Sequence, residues 1–180
     1  MKKIKEIILG VTGSISAYKA CDLLRFLKKS GFNIRVVMTG EATNFIKPLT
    51  FQALSGNEVY IDMFTENASW NPKHIALAKE ADIIVIAPAT ANFIAKLANG
   101  ICDDLLSCIC VATRARIVLC PAMNENMYKH KAVQDNIRKI KELGVIVVGP
   151  VKGRLASGDI GVGHMVEVED IARVIKRSIK

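Results

Sequence analysis

The sequence predicts a doubly wound α/β fold with a parallel sheet, in a single domain of residues 1–180. Apolar, strand-like runs alternate with helical patterns along the chain, and these runs hold almost no polar residue. Strands that are apolar on both faces are typical of parallel sheets covered by helices. Hydrophobic residues make up 51% of the 180 residues and charged residues 23%, a composition that supports one packed core.

The strand predictions depend on short apolar runs bounded by turn residues. The first run ends just before Gly13, and the run that follows Ala81 is apolar after its first residue. The predicted strands are 6–11, 33–38, 82–87, 116–120 and 145–148.

The helix predictions depend on apolar residues three and four positions apart. In the first helix Ala20, Leu23, Leu24 and Leu27 share one face, and Gly31 is a suitable terminator. The predicted helices are 16–30, 48–54, 73–80, 91–98, 104–112, 131–143 and 168–179.

The charge pattern argues against a nucleic-acid partner, and the length of the apolar runs argues against a membrane partner. The net charge is +8, but the basic residues are spread out and lack the interleaved aromatics of a single-strand binder, so no nucleic-acid partner is expected. A positive surface does favour anionic, phosphate-bearing ligands. No apolar run reaches the roughly 18 residues that cross a bilayer, and the stretch before Gly10 is too short for a secretion signal, so we expect a cytoplasmic protein without a membrane partner.

The five cysteines are predicted to be buried, reduced thiols because most lie in apolar segments. Cys108 and Cys110 form a C-x-C pair with no second pair and no nearby histidine, so no metal site is predicted. The five are Cys21, Cys102, Cys108, Cys110 and Cys120.

Small and hydroxyl residues follow three predicted strands, where ligands bind in this class of fold. Ser14 and Ser16 follow the first strand, Thr39 the second, and Thr90 the strand at 82–87. Neither a G-x-G-x-x-G fingerprint nor a P-loop occurs, so neither a dinucleotide nor a triphosphate site is indicated. Helix capping by Ser16 and ordinary turns explain these residues as well as a shared flat, anionic ligand such as FMN does.

Three further features are candidates for chemistry. Asn124 follows a strand and offers a neutral amide to a carboxylate, although an Asx turn or a helix cap would use it equally well. His74 opens a helix beside Pro72 and suits proton transfer, but a solvent-exposed surface histidine is the simpler interpretation. The Gly-rich segment 152–165, the flap, is either a mobile cover or a surface loop.

Four sequence blocks together resemble the homo-oligomeric flavin-containing cysteine decarboxylases. They occur in family order over nearly the whole chain, and the set is far more specific than any one block. The closest resemblance is to the members that decarboxylate 4'-phospho-N-pantothenoylcysteine in coenzyme A biosynthesis. The blocks are GSISAYK at 13–19, HIALAKEAD at 74–82, APATAN at 87–92 continued by KLANGICDDLL at 96–106, and PAMNENM at 121–127.

The resemblance implies a flavodoxin-like (Rossmann-like) fold, non-covalent FMN, and homotrimers or trimer-built dodecamers with FMN at subunit contacts. It implies that His74, Asn124 and Ser157 are the catalytic residues. It assigns substrate binding to Asn124, Met127, Leu155 and Ala156. The implied FMN contacts are Gly13, Ser14, Ile15, Thr39, Ala89, Thr90, Ala91, Asn92 and Ala122.

The implied reaction begins with oxidation of the substrate's thiol end by FMN, after which carbon dioxide departs and leaves an enethiol. Asn124 would position the carboxylate, and His74 would assist proton transfers. In the family a flap cysteine then protonates the enethiol as it is reduced to 4'-phosphopantetheine, but this chain has Ser157 there. A hydroxyl is a far weaker acid than a thiol, whose pKa is about 8.5, so we expect the reaction to stall at the enethiol.

Several alternatives remain open from sequence. Ser157 is either an engineered trap of an active enzyme or a natural variant with altered chemistry. The chain is either a stand-alone enzyme or the amino-terminal part of a bifunctional protein. A peptidyl-cysteine decarboxylase, a flavin prenyltransferase, a dipicolinate synthase flavin subunit and a silent regulatory flavoprotein share the expected fold.

Overall fold

The computed structural model describes residues 5–64 and 73–179. Eight strands are present in this part: β1 Glu6–Val11, β2 Asn33–Met38, β3 Val59–Tyr60, β4 Ile83–Ala89, β5 Arg116–Pro121, β6 Ile146–Val147, β7 Val151–Arg154 and β8 Ile160–His164. The helices are α1 Ala17–Lys29, α2 Pro48–Ser55, α3 Lys73–Glu80, α4 Ala91–Asn99, α5 Leu105–Ala112, α6 Glu125–Lys129, α7 Lys131–Glu142 and α8 Val168–Ser178, with a short 3-10 helix at Gly40–Asn44.

Six strands form one parallel sheet in the order β3-β2-β1-β4-β5-β6. The order reverses between β1 and β4, so the loops after these two strands diverge to opposite faces and leave a crevice. The predicted doubly wound fold is thereby confirmed. β7 and β8 pair with each other as a separate antiparallel hairpin.

Alternate residues of the central strands enter two cores, one on each face of the sheet. Ile7 and Leu9 of β1 pack on one side, and Ile8 packs on the other; all three are fully buried. α1, α2 and α8 cover the first core, and α3, α4, α5 and α7 cover the second. Burying both faces accounts for the almost continuous apolar runs in the sequence.

Two helices that flank the crevice carry side-chain caps. The Thr90 hydroxyl accepts from the Phe93 N–H at 3.3 Å, at the start of α4. At the start of α5 the Asp104 carboxylate accepts from the Ser107 N–H at 2.8 Å, while the Ser107 hydroxyl accepts from the Asp104 N–H at 3.2 Å. This reciprocal pair is a capping box, which satisfies two backbone donors and fixes where α5 begins.

The structure differs from the sequence predictions at β4, at β3, at α6 and in the flap. β4 continues through Pro88 to Ala89, because the Ala122 N–H of the neighbouring segment donates to the Ala89 carbonyl. β3 and α6 were not predicted, since two and five residues are too few to show a period. The flap is an ordered hairpin through most of its length, with its tip at 155–159.

The prediction of buried cysteines is wrong for part of the set. Cys102 is exposed in the loop before α5, and Cys21 and Cys108 are half-buried in α1 and α5. Only Cys110 and Cys120 are buried, and burial raises the pKa of both thiols. No helix in the described ranges combines the length and apolar character needed to span a membrane.

Candidate functional site

Hydrogen bonds join the ends of neighbouring strands into a continuous edge. The buried Thr12 hydroxyl donates to the Pro88 carbonyl at 2.8 Å and accepts from the Thr90 N–H at 3.0 Å. Thr39 N–H donates to the Val11 carbonyl at 3.0 Å, which joins the end of β2 to the end of β1. We call the residues that follow β1, β2, β4 and β5 along this edge the strand-end side of the site.

A cavity of about 740 Å³ opens at the crevice between β1 and β4. Its size lies within the range of small-molecule and cofactor sites. The strand-end side forms one wall, and the flap forms the other. Its lining contains these predicted site residues: Gly13, Ser14, Ile15, Thr90, Ala91, Ala122, Asn124, Met127, Leu155, Ala156 and Ser157.

A second cavity of about 210 Å³ adjoins the first and shares part of its lining, and Thr39 and Asn92 line it together with Lys96. The Thr39 hydroxyl oxygen is buried without a hydrogen-bond partner within the described ranges. A buried, unpaired hydroxyl costs free energy unless a ligand completes it, so this atom indicates a polar ligand. Lys96 is already paired, at 2.8 Å from each of Asp103 and Asp104.

The carboxylate of Asp104 is stabilised in its charged form. Burial acts to raise the pKa of Asp104, but hydrogen bonds from the Lys96 ammonium and the Ser107 N–H lower it overall. Two carboxylates thus hold the Lys96 ammonium, and a ligand in the second cavity would meet neutral donors more readily than a free cation.

Asn124 caps α6. Its side-chain oxygen accepts from the Asn126 N–H at 2.8 Å, so the cap that sequence left as an alternative is present. The cap orients the side chain through the amide oxygen, and the NH2 group has no acceptor among residues 5–64 and 73–179. Capping and ligand binding are therefore compatible, and Asn124 can donate to a carboxylate in the cavity. By contrast, Ser16 starts α1 without a side-chain cap, so the capping explanation for Ser16 is wrong.

The flap is joined to the Asn124 segment along β8. Met123 N–H donates to the Gly163 carbonyl at 3.1 Å, and Val162 N–H donates to the Glu125 carboxylate at 3.1 Å. A Cβ on Gly163 would lie 2.1 Å from the Met123 carbonyl oxygen, so only glycine permits this approach. Hydrogen bonds from the Val162 N–H and Lys129 lower the pKa of Glu125, which favours the charged form that holds the strand.

The tip of the flap carries Ser157. Its hydroxyl donates to the Asp159 carboxylate at 2.9 Å, and both residues are exposed. Leu155 N–H donates to the Asp159 carbonyl and Gly158 N–H to the Leu155 carbonyl, which closes the turn. Ser157 therefore lies on a defined turn that lines the large cavity.

Two predicted site residues line neither cavity. Ala89 is fully buried in β4, where its carbonyl accepts from Ala122 N–H. His74 is half-buried on α3, which packs against α5, so within one chain the structure does not bring His74 to Asn124 and Ser157. Pro72, its predicted neighbour, lies outside the described residues.

Other residues lining the large cavity were missed from sequence, among them Arg154 and His164. His164 Nε2 lies 3.0 Å from the Lys19 ammonium, and its Nδ1 lies 3.1 Å from the Arg154 carbonyl oxygen. Lys19 also donates to the Glu167 carboxylate at 3.0 Å, and this bond lowers the pKa of Glu167. Lys19 and His164 are 145 positions apart, so no local pattern could have revealed their contact.

Comparison of the sequence with known proteins shows to which family this chain belongs. A family model described as Flavoprotein matches residues 1–180. The chain belongs to the Flavoprotein family. It is 47% identical over 167 residues to the coenzyme A biosynthesis bifunctional protein CoaBC of Haemophilus influenzae, covering 93% of this chain and 42% of that protein. The chain thus spans less than half the length of such curated relatives.

Two solved structures share the whole fold. A cysteine-to-serine mutant of PPC decarboxylase complexed with pantothenoylaminoethenethiol superposes with a TM-score of 0.85 at 30% identity, covering 97% of this chain and 98% of that one. SpaF, described as an FMN-dependent cysteine decarboxylase, gives 0.84 at 31% identity, covering 98% and 95%. The resemblance to cysteine decarboxylases is confirmed by these likenesses.

The residues present fit a flavin. The unpaired Thr39 hydroxyl provides a polar partner, Thr90 and Ala91 line both cavities, and the Ser14 and Ser16 hydroxyls lie at the start of α1. The large cavity is lined mainly by small and apolar residues and the adjoining cavity by many polar ones, a combination that suits a ring system with a polar rim.

Proposed function

We propose that this chain is an FMN-dependent decarboxylase of 4'-phospho-N-pantothenoylcysteine, acting in coenzyme A biosynthesis. The observation that carries the proposal is that one cavity collects the strand-end residues, Asn124 and Ser157, which are far apart in sequence. Likeness to CoaBC proteins and to PPC decarboxylase supports this choice of substrate.

FMN would lie on the strand-end side, with Thr39, Thr90 and Asn92 toward the polar ring edge and Ser14 and Ser16 toward the phosphate. When bound, it supplies a two-electron oxidant for the substrate's thiol end. The chain's contribution is to hold that end against the strand-end side and to keep water away with the flap.

Asn124 is proposed to bind the carboxylate that leaves. Its amide is held by the α6 cap, so its orientation requires no reorganisation when substrate binds. A neutral donor suits a group that departs as uncharged carbon dioxide, because a cation would stabilise the carboxylate more than the transition state. Met127, Leu155 and Ala156 would complete the substrate pocket around it.

Ser157 is proposed to limit the final protonation. Its hydroxyl lies on the flap tip and is hydrogen-bonded to Asp159, and it is a far weaker acid than a thiol. We therefore expect oxidation and decarboxylation to proceed and the enethiol to accumulate. The complex of the PPC decarboxylase serine mutant with pantothenoylaminoethenethiol, an enethiol, is consistent with this expectation.

Mass spectrometry of the reaction tests the proposal. The chain with Ser157 and its Ser157→Cys variant, both loaded with FMN, are incubated with phosphopantothenoylcysteine. The chain with Ser157 should give a product that has lost carbon dioxide and two further hydrogens, whereas Ser157→Cys should give 4'-phosphopantetheine. Equal formation of 4'-phosphopantetheine by both proteins would refute the role of Ser157, and no loss of carbon dioxide from either would refute the proposed function.

His74 is proposed to act across a subunit contact, in a homotrimer or a trimer-built dodecamer. Within one chain His74 does not line the cavity. The lip of the cavity carries exposed apolar side chains, Ile15, Tyr18, Phe45 and Met127, which a second subunit would cover. A second subunit that packs on this lip would close the open side of the large cavity and would bring its own side chains, His74 among them, to the site.

The second candidate is a decarboxylase of peptides that end in cysteine. EpiD, a peptidyl-cysteine decarboxylase, matches with a TM-score of 0.82 at 25% identity, close to the 0.85 of the PPC decarboxylase mutant. Bleaching of the flavin absorbance distinguishes the two, since each enzyme would reduce its flavin only with its own substrate. Bleaching by a cysteine-ended peptide and not by phosphopantothenoylcysteine would select the second candidate.

A further inference from the structure

We infer that Arg154 is the specificity residue for the phosphate of the substrate, an inference that depends on the proposed function. Among the described residues, the lining of the large cavity contains no acidic side chain, and Arg154 is its sole lysine or arginine. The cavity would receive a substrate with two anionic groups, a carboxylate and a phosphate. Asn124 can serve the first group as a neutral donor, and a fixed charge is needed for the second.

The guanidinium of Arg154 is available to a ligand. Across residues 5–64 and 73–179 its side chain has no ion-pair or hydrogen-bond acceptor, in contrast to Lys96, which two aspartates hold in the second cavity. Lys19 is another cation near the flap, but it is nearly buried and engaged by His164 and Glu167. A phosphate that enters this cavity would therefore meet the Arg154 guanidinium as an available cation.

The backbone of Arg154 is fixed although its side chain is exposed. Arg154 ends β7 and pairs with Ile160 of β8, and its carbonyl oxygen lies 3.1 Å from His164 Nδ1. His164 Nε2 lies within hydrogen-bond distance of the Lys19 ammonium, so the imidazole joins the base of the flap to α1. Arg154 thus lies at the end of β7 that adjoins the turn carrying Ser157, and its backbone is held there by Ile160 and His164.

The chemistry of the group favours phosphate over carboxylate. A guanidinium donates two parallel hydrogen bonds to a phosphate, a strong and geometrically selective contact. The phosphate stays charged throughout the reaction, so a permanent cation stabilises substrate and transition state alike. Arg154 should therefore select the phosphorylated substrate and leave the decarboxylation step itself unchanged.

The test compares phosphorylated and unphosphorylated ligands in the FMN-loaded protein and in Arg154→Gln. We measure the second-order rate constant of flavin bleaching with phosphopantothenoylcysteine and with pantothenoylcysteine. For Arg154→Gln the first should fall roughly 10- to 100-fold while the second changes less than about 3-fold. Arg154→Lys should recover part of the loss, because it keeps the charge without the planar fork.

Lys152→Gln is the matched control. Lys152 lies on the same strand, is exposed and carries the same charge, but it does not line the cavity. Its substitution should leave the preference for the phosphorylated substrate unchanged. An equal loss in both variants would mean general attraction by positive charge and would overturn the inference.

Two further measurements separate the alternatives. Calorimetric titration with phosphopantothenate and with pantothenate should show the same selective loss in Arg154→Gln, even if the protein decarboxylates neither substrate. This separates failure of the inference from failure of the proposed function. Weaker binding of FMN with unchanged substrate preference would assign Arg154 to the cofactor phosphate. Equal losses of bleaching rate with the phosphorylated and the unphosphorylated substrate would assign it to the carboxylate. Either result overturns the inference.

Discussion

The two walls of the large cavity are stabilised in different ways. The strand-end side is formed by the ends of buried strands, and hydrogen bonds such as those of Thr12 connect each end to the next. The flap is joined to the rest of the chain mainly along one edge, through Gly163, Glu125 and His164, while its tip is exposed. A rigid wall suits a tightly bound cofactor, and a wall anchored at one edge suits a cover that admits substrate.

The largest loss of activity is expected for Asn124→Asp, a substitution at the place where the strand-end side and the flap meet. Aspartate caps a helix as well as asparagine does, so α6 should remain intact. The added negative charge would repel the substrate carboxylate and remove the donor, and we expect decarboxylation to fall roughly 100- to 1,000-fold. Carbon dioxide release measures the loss, and the melting temperature checks the cap.

Mixing variants tests whether the site is shared between subunits. Asn124→Asp and His74→Ala should each be inactive alone. After the two are unfolded and refolded together in equal amounts, roughly a quarter of the sites would have both native residues if two subunits form each site. Absence of any recovery from a properly assembled mixture would place His74 and Asn124 in the same chain's site or remove His74 from catalysis.

The next largest effect is a loss of stability on substituting Gly163, which lies on the edge where the flap is joined to the Asn124 segment. Gly163→Ala would place a Cβ 2.1 Å from the Met123 carbonyl oxygen, a backbone atom that can move only with the Asn124 segment. We expect the free energy of unfolding to fall by about 3 kcal/mol, together with a loss of activity. Urea denaturation measures the first quantity and carbon dioxide release the second.

Gly158→Ala is the comparison at the tip. Gly158 has a φ of 92°, but a Cβ there would meet nothing within 4 Å. Its cost should be about 1 to 2 kcal/mol, from backbone conformation alone. If both alanine variants lost the same stability, the close approach at Gly163 would not be what anchors the flap.

The smallest effect is expected for Asp104→Asn, under the strand-end side. Asparagine keeps the cap of α5 but loses the charge that faces Lys96, which should cost about 1 kcal/mol at neutral pH. The folded pKa of Asp104 is lowered, so its contribution is present above the unfolded pKa of about 3.9 and is lost as the pH falls through the folded pKa.

The stability difference between Asp104→Asn and the unsubstituted chain should therefore shrink below about pH 4. Urea denaturation at pH 7 and at pH 3.5 measures it. A difference that persists unchanged at the lower pH would show that the ion pair with Lys96 is not its source.

Local patterns in the sequence were sufficient for the sheet, most helices and the strand-end residues. Fully apolar runs identify buried parallel strands, and the ends of such strands lie on one edge, so the amino-acid sequence alone groups Gly13, Thr39 and Thr90. The identity of Asn124 as a ligand candidate, and the family resemblance, were also available from sequence.

Only the tertiary structure decided how the flap is held and what it presents. Composition alone allowed a surface loop at 152–165, but glycines 161 and 163 let β8 approach the Asn124 segment, and Lys19 reaches His164 across 145 positions. The same packing left Arg154 unpaired within the described ranges and kept His74 away from the cavity. Such contacts depend on side chains brought together by folding, whereas burial and periodicity are properties of neighbouring residues along the chain.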